Sequence, residues 1–139
     1  MSEGPTRREL VAAFVPQSPF AQHLGLRIDV LEPDVAELVL PFADSLPTMG
    51  DVVHGGAIAT LIDTAGMAAA WSDDARPKAA AGSTVSLSVD YVAAARGCDL
   101  RARAEVVRRG GQLCFVDITV RAEDTGDVVA KGMLCHRYG

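Results

Sequence analysis

One carboxylate is conspicuous for its surroundings. His54-Gly55-Gly56 opens a run of small and aliphatic residues, and from Gly55 to Ser72 the single charged side chain is Asp63. A carboxylate kept in apolar surroundings is a candidate general base or nucleophile. Glycines at the start of a helix offer unpaired backbone N–H groups to a negative charge and let a ligand come close. On a helical wheel Ile58, Leu61, Ile62, Ala65 and Ala69 form one core-facing stripe. Asp63 lies roughly 140° from its centre at 100° per residue, beside Gly56, Ala59, Met67 and Ala70. That second face carries no lysine, arginine, glutamate or glutamine, so the helix is expected to be buried all round. Gly55 and Asp63 are eight residues apart, about 12 Å along one helix axis. They are too far apart to act on one carbon, and the working pair is expected to come from two subunits.

The elements that must position this helix are legible by period. Residues 6–15 have Leu10, Val11 and Phe14 at helical spacing and stop at Pro16, which predicts a short N-terminal helix. Residues 17–24 read as a connection. Residues 26–31 and 35–41 alternate around Glu32-Pro33-Asp34 and predict a hairpin. Residues 42–52 read as loop. After the helix, 83–92, 99–109, 112–123 and 128–137 predict four strands in meander order, with a tight turn at Arg109-Gly110-Gly111-Gln112. In the first of them Thr84, Ser86, Ser88 and Asp90 alternate with Val85, Leu87, Val89 and Tyr91. The sum is α+β: an antiparallel sheet curled round one long helix, with a symmetric partner covering the rest. No linker divides the chain, so residues 1–139 are expected to be one domain with 1–19 as an N-terminal helical extension.

Composition narrows the function classes. The 139 residues carry a formal net charge of −5 and no basic run, which argues against a nucleic-acid partner. No apolar segment is long enough to span a membrane, and Met1-Ser2-Glu3-Gly4-Pro5 lacks the form of a signal peptide. Cys98, Cys114 and Cys135 are scattered, which predicts buried reduced thiols in a cytoplasmic protein and no metal site.

Taken together, the hairpin, His54-Gly55-Gly56 followed after six residues by Asp63, Gly82-Ser83-Thr84-Val85, Tyr91 and Lys131-Gly132 resemble the hotdog-fold acyl-CoA thioesterases. The nearest branch is the PaaI-like one, with the 4-hydroxybenzoyl-CoA thioesterases. The likeness spans roughly residues 20–138. It implies hydrolysis of a CoA-linked acyl or aryl thioester by a homodimer or homotetramer, with no cofactor beyond the coenzyme A of the substrate.

By that resemblance the backbone N–H of Gly55 or Gly56 polarises the thioester carbonyl, and Asp63 is general base or nucleophile. His54 contacts the thioester or orders its loop, and Thr84, with Ser83 as its near alternative, positions water. Met67, one turn past Asp63, is expected to line the acyl pocket. The phosphates of coenzyme A call for cations, and Arg108, Arg109 and Gly110 at a hairpin turn are the candidates, with Arg96 and Lys131 behind them. Relatives commonly have Asn or Gln six residues before the histidine; here that position is Thr48, whose hydroxyl cannot reproduce both functions of an amide. The rival readings are a non-catalytic acyl-CoA-binding protein and a hotdog dehydratase. The second lacks a suitable histidine, because His23 and His136 lie near the chain ends.

Overall fold

The computed structural model describes residues 4–138; Met1, Ser2 and Glu3, part of the stretch read as leaderless, and Gly139 lie outside the described residues. Helix α1 (Arg7–Gln17) starts with a capping box. The Thr6 hydroxyl accepts from the Glu9 N–H while the Glu9 carboxylate accepts from the Thr6 N–H. It continues one residue past Pro16, which sits in the last turn. The stretch expected as a connection folds instead into helix α2 (Pro19–Leu24). Proline at its first turn and Gly25 in the left-handed conformation after its end supply both signals.

Strands β1 (Arg27–Glu32) and β2 (Val35–Leu40) form the expected hairpin, with Asp34 at φ 67° in the turn. The supposed loop contains a two-stranded ribbon, β3 (Pro47–Met49) with β4 (Val52–Val53). The ribbon delivers the chain to helix α3 (Gly55–Ala70). Then come β5 (Gly82–Tyr91), β6 (Leu100–Arg109), β7 (Leu113–Ala122) and β8 (Val128–Tyr138).

The sheet order is β1-β2-β6-β7-β8-β5, all antiparallel. Only β6-β7-β8 is a meander; β5 lies at the edge against β8, contrary to the expected order. Alternation identifies a strand but not its neighbours. The 92–99 segment, pinned by the Val53 N–H to Ala95 carbonyl bond and the Gly97 N–H to Asp51 carbonyl bond, carries the chain back across to β6.

Ile58, Leu61, Ile62, Ala65 and Ala69 are buried against β2, β6, β7 and β8. The second face of α3 is not covered: Gly56 is exposed, and Ala59, Thr60, Asp63, Thr64 and Met67 are half-exposed. Burial all round therefore fails for the single chain. At the helix C-terminus the Arg109 guanidinium donates to the carbonyls of Ala70 and Ala69 and pairs with Asp34 at 2.8 Å. The outer face of β1, β2, β6 and β7 is ionic, centred on Arg101 among Asp29, Glu37 and Glu123.

The helix and sheet approach closely at Gly132, where an added Cβ would sit 2.5 Å from Ile62 Cγ2. Gly132→Ala should therefore cost about 1–3 kcal/mol through overpacking, read as a lowered urea midpoint at unchanged m-value.

Candidate active site

Asp63 sits on the open face of α3, and one hydrogen bond defines its surroundings. The Thr84 hydroxyl donates to Asp63 Oδ1 at 2.7 Å. Strict alternation would put Thr84 on the opposite face of β5 from Leu87 and Val89. A β-bulge between Thr84 and Ser86 breaks the period, leaving Val85 unpaired, so that Thr84 pairs with His136 while Leu87 pairs with Leu134. Cross-strand partners point the same way, so Thr84 and Leu87 share the inner face with the buried His136 and Leu134. The extra residue turns a hydroxyl towards the carboxylate. A cavity of about 200 Å³ opens here, and Asp63, Thr64, Met67, Ser83, Thr84 and His136 are among its lining residues.

The second group of expected residues lies at the other end of the helix. His54 is the N-cap of α3, and its Nδ1 accepts from the Gly56 N–H at 2.7 Å. The imidazole does the work usually given to Ser or Asp, and its proton is left on the exposed Nε2. Gly56 is thereby occupied. The Gly55 N–H has no partner among the described residues. Tyr91 donates its phenolic hydroxyl to the Gly55 carbonyl at 2.7 Å, and a Cβ on Gly55 would meet the Tyr91 ring at 3.2 Å. The free donor of the two glycines is Gly55. Thr48 is exposed on β3, next to Pro47, which pairs with Val53; it goes with this end of the helix and lines neither cavity. One chain thus holds two separate groups, Asp63 with Thr84, Ser83 and Met67, and Gly55 with His54 and Thr48.

The turn arginines divide. Arg109 is committed to Ala69, Ala70, Asp34 and Tyr138 at the C-terminal end of α3, which leaves its guanidinium few free donors for a phosphate. Gly110 closes the turn through its N–H to the Leu113 carbonyl. Arg108 is exposed and has no partner among the described residues. Arg96 pairs with Asp51, and Lys131 with Asp117 and Thr119. Thr60 and Thr64 bond back to the carbonyls of Gly56 and Thr60, as helix threonines do. The three cysteines are free and buried, and burial raises the thiol pKa of Cys98 and Cys114.

Sequence reasoning missed two contributors. A cavity of about 300 Å³ adjoins the first and takes part of its wall from Leu10, Val11 and Phe14 of α1. The helical spacing of those residues was the available signal. His136, set aside for its place near the chain end, lines both cavities and is 2% exposed. Trp71 Nε1–H donates to its Nε2 at 2.8 Å, so the neutral ring carries its proton on Nδ1, which is buried without a partner. Nothing in a one-dimensional pattern marks that pairing.

Residues 50–129 match the profile of a family described as the thioesterase superfamily. A Halobacterium salinarum protein provisionally named an esterase is 38% identical over 123 residues, which is 85% of this chain and 80% of that protein. A Salmonella typhimurium protein named a medium/long-chain acyl-CoA thioesterase is 28% identical and covers 80% of each chain. Among solved structures, a thioesterase family protein from Silicibacter pomeroyi superposes with a TM-score of 0.86 at 29% identity, covering 94% of this chain and 96% of that one. The PaaI protein of E. coli shares the fold, with a TM-score of 0.73 at 23% identity over 85% and 86% of the two chains.

Burial lowers the His136 pKa, more than the Asp63 carboxylate raises it. A folded-state value below the unfolded one of about 6.5 means that the unfolded chain takes up the proton first as pH falls. This contribution is therefore complete above about pH 6.5 and is lost below it, towards the folded pKa. His136→Gln, which keeps an acceptor for Trp71, should show a shallower fall in the urea midpoint between about pH 6.5 and 5 than the wild type.

Proposed function

This chain belongs to the thioesterase superfamily, with the antiparallel sheet and central helix of the hotdog fold, and we propose that it hydrolyses acyl-CoA thioesters at a site shared between two subunits. The carrying observation is the 2.7 Å bond from Thr84 to Asp63 on an otherwise apolar helix. With Oδ1 occupied, Oδ2 is the basic atom. It takes a proton from water as the water oxygen bonds to the thioester carbon. The resulting oxyanion is held by the free Gly55 N–H of the neighbouring subunit, at the positive end of its helix. Collapse of that intermediate breaks the C–S bond, and the thiol of coenzyme A leaves with the proton. His54 orders the donor by capping Gly56, Thr48 stands at the same mouth, and Ser83 and Met67 flank the acyl group. Arg108 is the cation for the phosphates.

Three features support assembly. The half-exposed stripe from Gly56 to Met67 is apolar apart from Asp63 and two threonines, and it asks for a cover. Strand β5 has an open hydrogen-bonding edge, with Val85 and Tyr91 exposed upon it. The about 12 Å rise between Gly55 and Asp63 separates the two halves of the chemistry. The Salmonella relative's name supports acyl-CoA as the substrate class, and the three free thiols support a cytoplasmic location. The site as proposed needs no cofactor beyond the coenzyme A of the substrate.

A non-catalytic acyl-CoA-binding role is the competing reading, favoured by Thr48 in place of an amide. Thiol release across an acyl-CoA panel decides between the two. Hydrolysis should fall at least about 100-fold in Asp63→Asn and about 10- to 100-fold in Thr84→Ala, with recovery in Thr84→Ser. Saturable binding without thiol release, or activity unchanged in Asp63→Asn, would overturn the enzyme reading.

Sharing of the site has its own measurement. Neither Asp63→Asn nor Gly55→Val should be active alone, while equal mixtures refolded together should recover about a quarter of wild-type activity through mixed dimers. No recovery despite mixed dimers would place the site within one chain.

A further inference from the structure

We propose that the cavity roofed by helix α1 receives the far end of the acyl group, and that α1 makes the enzyme selective for uncharged acyl chains long enough to reach it over short or carboxylate-ended ones. The inference rests on the acyl-CoA reading for the ligand class, and on separate geometry for the selectivity. Leu10, Val11 and Phe14 of α1 face Met67 and Trp71 of α3 across about 300 Å³ of mostly apolar space. Phe14, Met67, Gly82 and His136 line this cavity and also the one that holds Asp63 and Thr84, so the two adjoin along these four residues. An acyl group whose carbonyl lies near Asp63 has an apolar place to extend under α1.

The wall carries one internally satisfied polar pair and no charge, with His136 Nδ1–H left as a single unpartnered donor. Trp71 Nε1–H and His136 Nε2 satisfy each other at 2.8 Å, and burial disfavours the charged imidazole. No carboxylate, lysine or arginine lines the cavity. A terminal carboxylate on the acyl chain would be buried there with no cation and at most the neutral His136 Nδ1–H as a donor, which is unfavourable for a charge. A two-carbon acyl group would leave the space unfilled, whereas each further methylene buried is worth about fourfold in affinity.

The roof is fixed in place. The Arg7 and Arg8 N–H groups donate to the carbonyls of Ala75 and Asp73, and the Arg7 and Arg8 side chains pair with Asp73 and Asp74 at 2.9 and 2.6 Å. These bonds tie α1 to the segment after α3, whose Ala80 and Ala81 complete the wall. The cavity is therefore bounded by a helix that has its own attachment to the fold, and its size is set by the side chains α1 presents.

Trp71 is the only tryptophan and lines the cavity, so it reports on occupancy without any need for catalysis. Titration of the intact protein with decanoic acid and decanoyl-CoA should change its emission saturably, while acetyl-CoA and succinyl-CoA should not. In thiol-release assays, Leu10→Phe should lower the decanoyl-to-butyryl ratio of kcat/KM by about tenfold, the scale of one to two methylenes in an apolar pocket. The exposed Phe14→Ala, which threatens no core packing, should shift the preferred chain length or weaken the decanoyl response.

Decanoyl-CoA hydrolysis with unchanged Trp71 emission, or a chain-length profile that neither variant moves, would overturn the proposal. So would succinyl-CoA turned over as well as decanoyl-CoA. A saturable Trp71 response to decanoic acid with no hydrolysis of any acyl-CoA would support the cavity assignment while removing the enzymatic one.

Discussion

A helix with almost no polar side chains has to be covered, and this requirement shapes the molecule. Helix α3 places Ile58, Leu61, Ile62, Ala65 and Ala69 against the concave face of a six-stranded sheet. Fully buried aliphatic side chains contribute about 1.5–3 kcal/mol each, so the inner stripe accounts for the position of the helix. It does not account for the other side. There the residues are small, half-exposed and interrupted by one acid. A hydrophobic face left open in this way marks an interaction site, the one proposed for a second copy and a ligand. The carboxylate stands within it, half-exposed in the single chain.

Strand β5 connects this constraint to chemistry. It is an edge strand, held on one side only by β8, and along its inner face Thr84 reaches Asp63 while Tyr91 reaches the Gly55 carbonyl. The same strand thereby touches both groups of candidate residues. The bulge at Val85 makes this compatible with a half-buried Leu87, because it lets Thr84 and Leu87 point inward although they are three positions apart. Without the bulge, one of the two would face solvent. Edge strands tolerate such irregularities because no ladder on their outer side is disturbed.

The charges follow the same division of labour. On the outer sheet face the arginines are paired with carboxylates, Arg101 and Glu37 at the partly buried centre of the network and Arg103 and Glu105 as an exposed pair that contributes little to stability. At the C-terminal end of α3, Arg109 is half-buried and spans the last carbonyls of the helix, Asp34 and Tyr138; desolvation opposes its charge while those partners favour it. Arg7 lies 3.8 Å over the Tyr138 ring and pairs with Asp73, so α1 and the helix end share one cluster. The N-terminal helix is therefore part of the fold around the cavity.

The sequence alone determined much of this. Period-2 and period-3.6 patterns are local consequences of which face is wetted, so the hairpin, the central helix and the remaining strands could be placed to within one or two residues. The isolation of Asp63 was visible for the same reason, since a lone acid in an apolar run needs no coordinates to be noticed. Tertiary structure decided what depends on contacts between distant residues. The edge position of β5 follows from pairing with β8, and the inward turn of Thr84 from a bulge that breaks the very period used to read the strand. Gly55 emerged as the free donor because His54 folds back on Gly56, and Arg109 left the list of free cations because a helix end arrives beside it. His136 entered the site because a cross-strand register sets a residue near the chain end opposite Thr84. Periodicity reports burial; it carries no information about which two buried or half-buried groups meet.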